Sequence, residues 1–88
     1  MIIFTNENII FSKKFLKEFL KLEKIMQINI KKQFQLFFSA AKNPNIKQLK
    51  NYKFAEYRLK IGNYRLLFSE LEPNKYIFLR VRHRQNLY

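Results

Sequence analysis

Cysteine and aspartate are absent from this 88-residue sequence, histidine and glycine occur once each, and proline occurs twice. Each shortage removes a class of chemistry. Without cysteine there is no disulfide framework and no thiolate metal site, and a reducing cytoplasm is the natural setting. One histidine and no aspartate speak against a His-rich metal cage, and the paired imidazoles of the simplest acid–base catalysts are missing too. No apolar run approaches the roughly 18 residues of a membrane span. The opening MIIFTNENIIF lacks the positive n-region of a signal peptide. Gly/Ser linkers, repeats and low-complexity tracts are also missing. Residues 1–88 therefore read as a single cytoplasmic domain with no cofactor, no metal and no membrane partner.

What is abundant is positive charge and aromatic surface. The net charge is +12, with ten Phe and five Tyr. Such a charge attracts polyanions, nucleic acid first. A drift toward Ile, Asn, Lys and Phe accounts for the thirteen lysines, but not for the confinement of all five arginines to residues 58–84. A guanidinium holds phosphate in a planar, bidentate grip that an ammonium cannot match.

Residues 1–11 contain two β-prone runs around a turn-like TNEN, giving either one strand with an extension or a short hairpin. Ser12 is placed to cap a helix over 13–24, on which Phe15, Leu16, Phe19 and Leu20 follow helical spacing. A turn at 26–28 leads to a second helix over 29–42 that presents Ile30, Phe34, Phe37 or Phe38, and Ala41. It stops at Asn43-Pro44-Asn45. Residues 46–54 read as a basic loop. Residues 57–61 alternate apolar and basic side chains as a half-buried strand does. Gly62-Asn63 is a two-residue turn, 64–69 is the partner strand, and 76–84 is a third strand carrying Arg80, Arg82 and Arg84 at alternate positions. The order β-α-α-β-β-β predicts an α+β domain. Two N-terminal helices pack on one face of a mainly antiparallel sheet, and the arginine-bearing face is left free for a ligand.

The helix pair followed by Y-R-L-K-I-G-N-Y-R and by R-V-R-H-R-Q-N-L-Y resembles the RelE/ParE superfamily of type II toxin–antitoxin toxins, and within it the RelE-type mRNA interferases. The resemblance implies a RelE-like fold and ribosome-dependent endoribonuclease activity on mRNA in the A site. It also implies an acidic antitoxin that wraps and silences the domain. Arg58 and Lys60 stand where such toxins carry two basic residues, and Arg65 matches the arginine of the next strand. Two registers compete in the last segment. Counting back from the end aligns Arg82 and Arg84 with the two RelE arginines and Tyr88 with the base-stacking tyrosine. Catalytic roles thus fall to Lys60, Arg65, Arg82, Arg84 and Tyr88, and substrate contacts to Arg58, Arg80 and His83. His83 is out of phase with Arg82 and Arg84, but it is the one side chain that titrates near neutral pH unaided. The alternatives are a ParE-type DNA gyrase poison, which shares the fold without the interferase residues, and an inactive RNA-binding member.

Ribose-assisted cleavage requires loss of the 2′-OH proton, stabilisation of the phosphorane charge and protonation of the 5′-oxygen. Lys60 as base or electrostatic stabiliser, Arg65 as phosphate clamp and Arg82 or Arg84 at the leaving oxygen meet that need, though weakly. Such a site gains rate from a substrate held in line by something else. Ribosome-bound mRNA would supply that geometry.

Overall fold

A computed structural model describes residues 1–86. The elements are β1 (Ile9–Phe11), α1 (Lys13–Leu20), α2 (Lys24–Phe38), β2 (Asn45–Gln48), β3 (Tyr57–Ile61), β4 (Tyr64–Glu72), β5 (Lys75–His83) and a closing 3-10 turn, Arg84–Asn86. They form one five-stranded sheet in the order β1-β5-β4-β3-β2. β1 runs parallel to β5 and every other pair is antiparallel. This is the expected α+β architecture with both helices on one face. One strand was not anticipated: 45–48, read as the last residue of the helix stop and the start of a loop, pairs with the outer edge of β3.

The core lies between helices and sheet and is largely aromatic. Phe15 and Phe19 of α1 and Ile30, Phe34 and Phe37 of α2 pack on Leu59, Leu66, Phe68, Phe78 and Val81. Phe4, at 1% exposure, sits at its centre, with ring centroids 5.4–6.3 Å from Phe34, Phe37, Phe68, Tyr76 and Phe78. Of the two readings of the opening, the strand with an extension holds, with Ile9–Phe11 as the strand, and the extension delivers one ring to the middle of the core.

Both helices are displaced from their expected bounds. The turn between them falls at 21–23, where the Gln27 side-chain amide donates to the carbonyls of Leu20 and Leu22 at 3.3 and 3.0 Å. Those carbonyls would otherwise be orphaned at the end of α1, so α2 starts early enough to bring Gln27 there. α2 ends before the proline. Ala40 adopts φ +61°, its N–H donates to the Phe37 carbonyl, and the Ala41 N–H donates to the Leu36 carbonyl. This is the left-handed reversal that closes helix C-termini. Ala41 is consequently exposed rather than part of the packed stripe.

Ser12 joins helix to sheet. Its hydroxyl accepts the Phe15 N–H at 3.0 Å and donates to the Leu79 carbonyl at 3.1 Å. Leu79 is the extra residue of a β-bulge, because Leu67 pairs with Arg80 whereas Phe68 pairs with Phe78. Strict alternation from Tyr76 and Phe78 would carry Arg80 and Arg82 into the core. The bulge reverses the parity, so Val81 faces the helices and both arginines face away.

Candidate functional site

Strand register aligns the basic residues in rows across the face opposite the helices. Lys60 is directly opposite Arg65, and Arg65 is directly opposite Arg82. Asn45 of β2 extends this row beyond Lys60. Adjacent strands lie about 4.8 Å apart, so three cations occupy roughly 10 Å on three neighbouring strands. Like charges directly opposite one another are destabilising; the row is held against that cost.

Arg65 is the fixed member. It is 8% exposed, and its Nη1 donates to the carbonyls of Gly62 and Tyr64, both at 3.0 Å. Gly62, at φ +56°, makes the tight reversal that brings those carbonyls together. Lys60 is exposed and Arg82 is partly exposed, so they flank the buried guanidinium with reachable charges.

A second row holds Lys47, Arg58, Leu67 and Arg80. Here the expectation of a free face needs correction. Leu67 is 2% exposed and Ala55 4%, and Tyr52 lies close enough to Arg80 to act on its charge. The loop over 49–56 therefore covers this part of the face. The Nε of Arg58 is buried without a hydrogen-bond partner among the described residues. Arg80 is bound to α1: its Nε lies 3.0 and 2.9 Å from the two Glu18 carboxylate oxygens and its Nη2 2.7 Å from one. The same carboxylate accepts the Val81 N–H at 3.1 Å, on the edge of β5 that β1 is too short to cover. Burial pushes the Glu18 carboxyl up. The Arg80 hydrogen bonds, the Val81 N–H and the charges of Arg80 and Arg82 outweigh it and hold the group below the ordinary range. Hydrogen bonding to Glu18 raises Arg80 in turn, against desolvation.

The other residues singled out from the sequence are not gathered in the first row. His83 pairs with Tyr64 on the helix side of the sheet, its ring 5.3 Å from that tyrosine, and its Nδ1 accepts the Gln85 N–H. Arg84 leaves the strand for the 3-10 turn, where its N–H donates to the Asn63 carbonyl. It is not a third alternate position on β5. Tyr88 lies outside the described residues. Sequence reasoning missed Glu18 and Asn45; the only signal for Glu18 was an acidic residue among lysines on a short helix.

A family model described as "ParE toxin of type II toxin-antitoxin system, parDE" matches residues 9–88. Among solved structures, the chain is similar to one in the RelB–RelE antitoxin–toxin complex from Methanococcus jannaschii, with 26% identity and a TM-score of 0.66 over 86% of this chain and 91% of that one. It is also similar to a chain of the RelE–RelB complex from Pyrococcus horikoshii OT3, with 18% identity and a TM-score of 0.63 over 91% and 97%. A toxin–antitoxin complex from Mycobacterium tuberculosis gives 20% identity and a TM-score of 0.67 over 88% and 96%. The latter two likenesses concern the fold alone. No curated protein matches the sequence.

Proposed function

Since this chain belongs to the ParE toxin family of type II toxin–antitoxin systems, we propose that it is a toxin of the RelE kind: an endoribonuclease that cuts mRNA held in the ribosomal A site. The observation that carries this reading is the cross-strand row of Lys60, Arg65 and Arg82. A scissile phosphate against the row would relieve the repulsion among the three cations, most of all when it gains charge as a phosphorane. Lys60, at the accessible end, takes the 2′-OH proton as base when in its amine form, or as an ammonium stabilises the alkoxide left when that proton departs to water. Arg65, anchored by two carbonyls, holds the phosphate. Arg82 stabilises the departing 5′-oxygen, directly or through water. The 2′-oxygen bonds to phosphorus, the bond to the 5′-oxygen breaks, and the proton lost at the first is regained at the second. No group in the row is a strong acid or base, so in-line geometry must come from the ribosome. The antitoxin–toxin complex of the Methanococcus jannaschii relative supports an antitoxin as the resting partner, and the net charge of +12 on this chain calls for an acidic one, drawn in by opposite charge.

The match to a ParE model favours a second reading, a gyrase poison. One experiment separates the two: primer extension on cellular mRNA after induced expression, with plasmid supercoiling measured alongside, for wild type and Arg82→Gln. Cuts at A-site codons that fall about 100-fold or more in the variant support the nuclease. Intact mRNA with blocked supercoiling would establish the gyrase reading instead. Arg65→Ala is a poorer probe, because it strips two turn carbonyls of their donor.

A further inference from the structure

Beyond the basic row, a polar cleft opens between α2 and the β2–β3 margin of the sheet. Asn29, Gln33, Lys42, Asn43, Asn45 and Lys60 line it. Asn29, Gln33 and Phe37 recur at every fourth position of α2 and so share one stripe of that helix, with the buried Phe37 ring as an apolar floor. The polar residues that line it carry four carboxamides and two amines and, among the described residues, no carboxylate. A site for a bare anion has little use for so many amide acceptors. A nucleobase edge offers donors and acceptors together, and a planar ring suits an apolar floor. The lining is also oriented: the Lys42 Nζ donates to the Gln33 Oε1 at 2.6 Å. An ammonium has no acceptor, so the Gln33 amide must keep its oxygen toward Lys42 and its N–H2 available to donate. Lys60 and its register partner Asn45 stand where the margin of the sheet divides this cleft from the row that grips the phosphate.

The geometry points to this cleft as the pocket for a nucleobase next to the cleaved phosphodiester, where Asn29, Gln33 and Asn43 set the toxin's sequence preference. The inference rests on the nuclease reading above and adds a substrate subsite to it. A bidentate amide–base contact corresponds to roughly 5- to 150-fold discrimination.

The test uses the full-length toxin and ribosomes programmed with mRNAs carrying each of the four nucleotides at every A-site codon position. Cut sites and rates are compared for wild type, Asn29→Ala/Gln33→Ala and Lys42→Met, all checked for an intact thermal transition. Wild type should favour one nucleotide at one position by about tenfold or more. In the double variant, cutting of the favoured codon should fall to the level of the others. Lys42→Met, which frees the Gln33 amide to turn over, should change which nucleotide is favoured, and it carries the test alone if the double variant does not fold. A wild-type preference that persists in the variants overturns the pocket and leaves the nuclease standing. A wild type that cuts none of these mRNAs overturns the nuclease reading itself. If the variants instead lose antitoxin affinity while keeping their cutting pattern, the cleft serves the antitoxin and the base-reading assignment is overturned.

Discussion

On the helix side of the sheet, neighbours across strands attract; on the far side, three of them repel. Leu59 faces Leu66, which faces Val81, and Tyr57 faces Phe68, which faces Phe78. These are pairs of the kind that hold sheets together, each contributing about 0.2–1 kcal/mol beyond burial. One residue along on β3 and β4, Lys60 faces Arg65, which faces Arg82. The two faces share one backbone, so the difference reflects what each is for. The aromatic face gives the domain its stability, and part of that stability is used to keep the cationic row assembled. The second row, with Leu67 under a covering loop and Arg80 neutralised by Glu18, lies between these extremes.

The sharpest way to break the contrast is to weaken the stabilising face at its centre. Phe4→Ala removes one ring from contact with five others and leaves a cavity, at a cost of about 3–5 kcal/mol. For a domain of this size that lowers the thermal midpoint by more than about 12 °C. Scanning calorimetry checks it. A loss under about 1 kcal/mol would mean that 1–8, which lie ahead of the family match, are an appendage after all.

The intermediate row gives a smaller effect with a pH signature. Glu18→Gln removes a charge that Arg80 and the Val81 N–H both use, and should cost about 2 kcal/mol near neutral pH. The folded Glu18 carboxyl titrates below its ordinary value. Its contribution is therefore complete above the unfolded pKa of about 4.3 and is lost as pH falls through the folded value. Urea unfolding should show the gap between wild type and variant closing as the solution is made acidic. A gap that stays constant down to pH about 3 would show that charge has no part in it.

How much of this was legible beforehand depended on how local each signal was. The β3–β4 hairpin could be read because apolar alternation and Gly62-Asn63 lie within a few residues of each other. β2 could not: in Asn45-Ile46-Lys47-Gln48 only one residue is apolar, and the segment is a strand because the edge of β3 accepts it. The helix–helix turn was misplaced because its determinant, Gln27, looks from the sequence like part of the turn itself. The sequence singles out the arginines as a group, but their separation into an exposed row, a neutralised Arg80 and a displaced Arg84 depends on two features without local signatures. One is the bulge at Leu79, betrayed only by apolar residues at 76, 78 and 81, a run that breaks period 2. The other is Glu18, which lies 62 positions from Arg80 in the chain. His83 was correctly placed out of phase with its arginine neighbours, since parity alone decides that.

The smallest expected effect bears most directly on the comparison, because its sign is unusual. Arg82→Gln should raise stability by about 0.2–1 kcal/mol, while it suppresses the growth arrest caused by expression. The repulsion it relieves from Arg65, directly opposite on the next strand, exceeds the attraction it gives up to Glu18, where Arg82 is the smallest of the influences. Inorganic phosphate or sulfate gives an independent check. An anion that binds the folded row stabilises it by mass action, so wild type should gain thermal midpoint with added anion and the variant should gain less. A residue that served only the fold would behave in the opposite way, losing stability when replaced and leaving the anion response unaltered. If Arg82→Gln lowers the midpoint and the anion response persists, the far face of the sheet is as self-serving as the near one, and the case for a phosphate-gripping row loses its main physical support.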